Sequence, residues 1–231
     1  MRPPRRIRPL ENAASGPFPA GVAGPLVSWF RRSRRDLPWR RPAPGRPESS
    51  ARPRRAADAD AGATRPLRDP YRVWVSEIML QQTTVKAVVP YFERFLEAFP
   101  TIEALARARR ERVLAAWSGL GYYRRARHLH EAARTVLRRH AGLLPRDRAA
   151  LLDLPGIGRY TAGAILSIAW GDAEPLVDGN VARVLCRLLG ERRDPAGARV
   201  SERLWRAAAA IVGATGSPGD LNEALMELGA T

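Results

Sequence analysis

From Tyr71 to the end of the chain, apolar residues recur at helical spacing with few breaks, and no segment alternates apolar and polar positions as a strand would. The pattern predicts a helix over Tyr71–Leu80, with a break before Thr84, and a second over Val85–Ala98, where Val88, Val89, Phe92, Phe95 and Leu96 share a face. Thr101 caps a short helix, Ile102–Ala108, and Ser118-Gly119 ends the next, Arg110–Trp117. Arg124–His140 is long and amphipathic, with Leu129, Ala133, Val136 and Leu137 inward. Arg146–Leu154, Arg159–Trp170, Gly179–Leu189, Ala198–Val212 and Asp220–Leu228 complete the series. Upstream, Pro25 opens a helix with Leu26, Val27, Trp29 and Phe30 on its apolar face, which Asp36-Leu37-Pro38-Trp39-Arg40 ends. Residues 1–24 and 41–68 have no period and are rich in Pro, Arg, Gly and Ala. They predict a disordered basic tail and a disordered insertion. The fold class is all-α.

Apolar residues make up 45% of the 231, enough for a core in one large or two small domains. The formal charge is +16, and Lys86 is the only lysine. Such a balance points to a polyanionic partner. Residues 1–68 hold 16 arginines against 5 acids, so much of the excess sits in the tail and insertion. The one cysteine, Cys186, excludes a disulfide framework or a cysteine-held metal cluster within this chain, and its place in the apolar pattern predicts a small core residue. His128, His130 and His140 lack partners at metal-ligand spacing, so no metal ligand is expected. No apolar run is long enough to span a membrane, and no signal-type apolar segment follows the N-terminus, so the expected location is cytoplasmic.

Leu154-Pro155-Gly156-Ile157-Gly158-Arg159-Tyr160 joins two predicted helices through a turn with two glycines. Backbone N–H groups of such a turn, at a helix start, attract an anion such as phosphate. An ordinary tight helix–helix turn would carry the same residues. Glu77 lies in the apolar stretch Val73-Trp74-Val75-Ser76-Glu77-Ile78-Met79-Leu80. If buried, its carboxyl has a raised pKa and suits general-acid chemistry; otherwise it is the polar face of an amphipathic helix. Gln81, one turn later, and Gln82 suit base edges and the gap left by a displaced base. Asp178, before Gly179-Asn180, is an N-cap, or a carboxylate facing a developing positive sugar, or both. Gly119-Leu120-Gly121-Tyr122-Tyr123-Arg124-Arg125-Ala126-Arg127 offers aromatics for bases and arginines for phosphates, or else starts a helix with a solvated basic face.

Together, and in this order, these motifs and Asp36–Arg40 resemble the MutY adenine DNA glycosylases of the helix–hairpin–helix glycosylase superfamily. The match covers residues 25–40 and essentially all of 69–231. The resemblance implies a six-helix domain carrying the hairpin (69–171), packed against a second helical domain built from both chain ends (25–40 with 172–231). It implies removal of adenine mispaired with 8-oxoguanine or guanine, after the base is flipped out of duplex DNA. By the same resemblance Glu77 protonates adenine and helps activate water, Asp178 stabilises the sugar cation, and Tyr160 and Asn180 position them. Trp39 and Arg40 line the pocket. Leu80 and Gln82, beside Gln81, border the space the adenine leaves, and Tyr122 wedges near the opposite base. Tyr123, Arg125, Gly156, Gly158 and Arg159 are expected at the DNA. A monomeric, nucleoid-associated bacterial protein is expected.

Relatives of the endonuclease III kind, which also cut the strand, use a lysine just after the hairpin, and here that place holds Tyr160. Lys86 is nine residues past Glu77, on the opposite face if one helix runs through both, so a monofunctional enzyme is expected. The family continues past Leu228-Gly229-Ala230 into four cysteines holding a 4Fe-4S cluster, then a domain that reads 8-oxoguanine. This chain stops at Thr231, so a C-terminally truncated member is expected, without the cluster ligands. Two competing readings are a DNA-binding fragment unable to complete the chemistry, or another glycosylase of the superfamily. A third is a helical scaffold, which makes the hairpin and the Gly-Tyr-Tyr turn accidents.

Overall fold

Asp69 begins the ordered run of helices by accepting a hydrogen bond from Tyr71 N at 2.9 Å, with Pro70 at the first helical position. The computed structural model describes residues 21–41 and 66–231, so most of the tail and insertion predicted above lies outside the described residues. The eleven described α-helices are α1 (Ala23–Ser33), α2 (Pro70–Leu80), α3 (Val85–Ala98), α4 (Ile102–Arg107), α5 (Arg110–Ala116), α6 (Arg124–Arg139), α7 (Arg148–Leu152), α8 (Arg159–Ala164), α9 (Gly179–Leu188), α10 (Ala198–Gly213) and α11 (Pro218–Ala230). No strand occurs among the described residues. Thr84, Thr101, Asp147 and Asp178 cap α3, α4, α7 and α9 through their side-chain oxygens.

Two hydrophobic clusters form. The first gathers Trp74, Phe92, Phe95, Trp117, Leu129 and Ile165 from α2, α3, the end of α5, α6 and the segment after α8. The second gathers Val27, Leu176, Leu185, Leu204, Ile211 and Leu225 from α1, α9, α10 and α11 with the strand-free link before α9. The residues expected to travel together as 25–40 are divided: Val27 joins the second cluster, whereas Leu37 and Trp39 join the first. Helix α1 packs along α11, bringing the two ends of the described chain together.

Several expectations shift. Residues expected to belong to the insertion are held in place just before Asp69: the amides of Leu67 and Arg68 both donate to Ala169 O, and Arg68 is buried. The helix expected over Arg146–Leu154 is only Arg148–Leu152, because Asp147 turns the chain in and caps Ala150 N at 2.7 Å, while Arg146 is held by Asp172 instead. The helix after the hairpin widens into a π-helix over Ile165–Trp170. There Ser167 Oγ donates to Gly163 O at 2.7 Å and accepts from Asn222 Nδ2 at 2.8 Å, and α11 lies so close that a Cβ on Gly219 would sit 2.6 Å from Ser167 O. Side-chain hydrogen bonding into the ladder is an identifiable cause of such a distortion. No described helix is long and apolar enough to cross a membrane.

Candidate active site

A cleft of about 1420 Å³ opens between the two clusters. Its lining brings together twelve of the residues singled out in the sequence: Trp39, Arg40, Glu77, Leu80, Gln81, Gln82, Tyr122, Tyr123, Arg125, Tyr160, Asp178 and Asn180. They come from five stretches of chain, and the helix packing described above is what makes them neighbours.

Glu77 is on the last turns of α2, 6% exposed among apolar neighbours. Burial pushes its carboxyl up to about 7, opposed by a hydrogen bond from Tyr160 and reinforced by the negative charges of Glu223 and Asp178, while Arg40 pulls the other way. Tyr160 Oη donates to Glu77 Oε2 at 2.7 Å and touches Met226 Sδ at 3.2 Å. Burial and these same carboxylates hold the phenol protonated, well above its ordinary range. A carboxyl that is half protonated near neutral pH can give up a proton and then take one from water.

Asp178 caps α9 and also lines the cleft. Oδ1 accepts from Val181 N at 2.7 Å, capping α9, and Oδ2 accepts from Asn180 Nδ2 at 3.3 Å, yet the side chain still lines the cleft. Burial raises its pKa, against the hydrogen bonds from Val181 and Asn180. Asn180 is pinned from behind, since a Cβ on Gly229 would fall 2.4 Å from Asn180 O.

The cleft floor carries charge that the sequence reading missed. Arg40 donates from Nε to Glu223 Oε1 at 2.9 Å and from Nη2 to Glu227 Oε2 at 2.9 Å. Arg35 adds Nε to Glu227 Oε1 at 2.6 Å, and Arg68 pairs with Glu223 Oε2 at 2.7 Å. Burial alone would raise both glutamates, but the arginines outweigh it and hold them below their ordinary range. The signal was present in Asn222-Glu223-Ala224-Leu225-Met226-Glu227: two carboxylates one helical turn apart in an apolar stretch, the same oddity that marked Glu77. Arg40 is therefore a cleft residue by way of an ion network that ties Pro38–Arg40 to α11.

At the rim, two loops carry residues in left-handed backbone, Gln82 at φ 55° and Tyr122 at φ 48°. Tyr122 is 60% exposed. Such strain in non-glycine residues concentrates at functional sites. Gln82 follows the end of α2, which breaks at Gln81 as expected. That break overturns the premise about Lys86. No single helix runs through Glu77 and Lys86; Lys86 is exposed on the first turn of α3 and lines the cleft mouth.

Two arginines expected at phosphate are engaged otherwise. Arg125 is buried and donates from Nη1 to Ile78 O at 3.0 Å and Met79 O at 2.8 Å, so its guanidinium serves backbone carbonyls. Arg159 lies over the Trp205 ring at 4.0 Å and pairs with Glu202 at 3.1 Å. The hairpin itself lies outside the cleft lining. Gly156 has φ +79°, and a Cβ there would meet His128 Cβ at 2.7 Å, so α6 passes directly beneath the turn. Gly158 precedes α8, whose first amides have no side-chain cap. Cys186 is half-buried against the second cluster.

A helical fold with two lobes, a central cleft and a glycine hairpin before α8 defines a class, and the chain belongs to it: the HhH-GPD superfamily of base excision DNA repair proteins matches over residues 75–210. Among curated relatives, the human adenine DNA glycosylase is 47% identical over 209 residues, covering 90% of this chain and 35% of that protein. The Arabidopsis thaliana adenine DNA glycosylase is 41% identical over 225 residues, covering 89% of this chain and 32% of its own length. The chain thus spans about a third of the length of these relatives. Among solved structures, a thermostable thymine-DNA glycosylase aligns with TM-score 0.70 and 28% identity, covering 90% of this chain and 84% of that one. A trapped covalent intermediate of endonuclease III with DNA aligns with TM-score 0.55 and 26% identity, over 66% and 76% of the two chains.

A 4Fe-4S cluster, expected from the resemblance, requires four thiolates, and the chain has only Cys186. Among the described residues no group of three or more His, Cys, Asp or Glu is placed to hold a metal ion. The residues present do not fit the cluster, and no step below runs through it.

Proposed function

We propose that this protein hydrolyses the N-glycosidic bond of adenine mispaired with 8-oxoguanine or guanine in duplex DNA, as a monofunctional glycosylase. The observation that carries the reading is the Glu77–Tyr160 pair buried beside Asp178, in a cleft large enough for an extruded nucleotide. That the base is adenine rests on the curated relatives, at 47% and 41% identity against 28% for the thymine-specific structure.

In the proposed reaction, protonated Glu77 donates its proton to a ring nitrogen of adenine. The C–N bond breaks, its electron pair leaves with the base, and positive charge builds on the sugar. Asp178, ionised and fixed by Val181 N and Asn180, stabilises that charge. Glu77, now a carboxylate, accepts a proton from the attacking water. Tyr160 keeps the Glu77 carboxyl turned into the cleft. Trp39, Arg40 and the Glu223–Glu227 pair wall the pocket, while Leu80, Gln81 and Gln82 border the vacated stack and Tyr122 wedges beside it. Tyr123, Gly156, Gly158 and the hairpin amides hold backbone phosphate. In this reading 69–171, joined by Leu37 and Trp39, make one jaw and 172–231, with α1, the other; the protein acts as a monomer on nucleoid DNA in the cytoplasm.

Monofunctionality is supported by the hydroxyl of Tyr160 on the turn after the hairpin and by the rim position of Lys86. The test is single-turnover adenine release from A:8-oxoguanine and A:G duplexes, with Glu77→Gln as control. Release by the wild type and not by the variant is expected. Tight binding without release by the wild type would move the chain to the DNA-binding reading.

A further inference from the structure

The loop after α2 and the loop before α6 each present one strained residue to the cleft rim, and a single buried guanidinium lies between them. We propose that Arg125 is a positioning residue that staples these two loops, so that Gln82 and Tyr122 enter DNA as one rigid unit. It acts in base extrusion, not in bond breaking. This rests on the glycosylase reading above.

On one side, Arg125 Nη1 donates to Ile78 O at 3.0 Å, Met79 O at 2.8 Å and Gln81 O. These are the last carbonyls of α2 and the first beyond it, which have no partner further along the helix and sit at its negative end. Nη2 donates to Thr83 Oγ1 of the same loop at 3.2 Å and, on the other side, to Leu120 O at 3.3 Å and Gly121 O at 3.4 Å. The guanidinium also lies 5.3 Å from the Tyr122 ring centroid and 5.5 Å from that of Trp117. Trp117 Nε1 in turn donates to Gly121 O at 3.1 Å.

The described residues place no carboxylate against this charge; its acceptors are neutral oxygens on two loops. Desolvation accordingly pulls its pKa down. A buried cation kept without an ion partner is costly, and what it gains here is the fixed spacing of two loops. Only a planar fork with donors on two nitrogens can face both loops at once; a lysine ammonium in the same place serves one. A wedge must resist the stack it opens, so loops that yield would let the base return.

The test is a double-mutant cycle in a Glu77→Gln background, with a duplex carrying 2-aminopurine at the target base, whose fluorescence rises on unstacking. Arg125→Lys should lower the extruded-to-stacked ratio by about tenfold, the scale of lost charge-assisted hydrogen bonds. Duplex affinity should change by less than about threefold, because phosphate contacts dominate it. Arg125→Lys added to Tyr122→Ala should cost nothing further, since both remove the same wedge. Full extrusion in Arg125→Lys, or additive losses, overturns the proposal. No fluorescence rise in the Glu77→Gln parent overturns the glycosylase reading and this inference with it. A variant-free measurement stands beside the cycle: in the wild type, the Thr83 and Leu120 amides should open to hydrogen exchange with similar protection, and clearly different protection overturns a shared staple.

Discussion

Tyr160 and Glu77, 83 residues apart in the chain, share a 2.7 Å hydrogen bond in which the phenol donates to the carboxylate. The bond favours the charged form of Glu77 and partly offsets the burial that lifts its pKa to about 7. Tyr160→Phe removes only that opposing contribution, so the pKa rises further. The protonated form then persists to higher pH, and the falling limb of the single-turnover rate profile moves upward. A limb that stays in place or moves down rules out Glu77 as the group titrating in that profile.

The same shift sets a sign for stability. Folded Glu77 titrates at about 7 and the unfolded side chain at its ordinary 4.5, so the folded state binds more protons between the two values. The stabilisation from the proton is full below the unfolded pKa and is lost as pH rises through the folded one. From around pH 5 to around pH 8 the wild type should lose up to about 3 kcal/mol that Glu77→Gln does not lose. Urea unfolding of both proteins at the two pH values measures this, and parallel curves would show that Glu77 is not desolvated in the folded state.

Arg40 and Glu223 are 8% and 4% exposed in their side chains, whereas Arg107 and Glu103 on α4 are 71% and 53% exposed. Arg40→Met leaves Glu223 with Arg68 and Glu227 with Arg35, yet withdraws one cation from two buried carboxylates. A loss of roughly 2–4 kcal/mol is expected, below the full cost of orphaning a buried charge. Arg107→Ala on the exposed pair should change stability by less than about 0.5 kcal/mol. Denaturant midpoints distinguish the two, and equal effects would mean that the network does not bind α11 to Pro38–Arg40.

Gly156 has both reasons to be glycine: a backbone at φ +79° and His128 Cβ 2.7 Å from where its own Cβ would stand. Gly156→Ala forces the hairpin away from α6 at a cost of about 1–3 kcal/mol. Moving the amides at the start of α8 should weaken duplex binding and flatten its dependence on salt, because fewer phosphates are neutralised. Binding isotherms at several salt concentrations measure the slope, and an unchanged slope would remove the hairpin from the DNA contact.

The parts legible in the sequence were those written locally. The helical period, the caps at Thr101 and Asp178 and the glycines of the hairpin each depend on residues within a turn or two of one another. So did the oddity of Glu77, a carboxylate in an apolar run. Arg125 was misplaced because its environment is built from carbonyls of two other segments, and a backbone oxygen leaves no mark in a sequence. Glu223 and Glu227 passed unnoticed because their partners, Arg35, Arg40 and Arg68, lie about 150 to 190 positions away. The π-helix at Ile165–Trp170 likewise answers to Asn222 and Gly219 on α11 as well as to its own Ser167. Local chemistry set the elements, and the packing of α1 on α11 set which of them share a cleft.

Lys86 provides the test of the proposal that the reaction stops at base removal. Strand cleavage by this fold needs an amine that attacks the sugar carbon once the base has gone, forming a Schiff base that borohydride reduces to a stable protein–DNA adduct. The turn after the hairpin presents the Tyr160 hydroxyl, which cannot form one, and Tyr160 is already engaged with Glu77. Lys86 is the only side-chain amine in the chain; it is exposed on the first turn of α3, lines the same cleft, and is hydrogen-bonded to neither Glu77 nor Asp178. Incubation with an A:8-oxoguanine duplex and borohydride should therefore yield no adduct attributable to Lys86, and the product strand should break only after treatment with alkali. An adduct formed by the wild type and absent from Lys86→Ala would show that the rim lysine reaches the sugar, and the monofunctional reading would fall while the assignment of Glu77 stood.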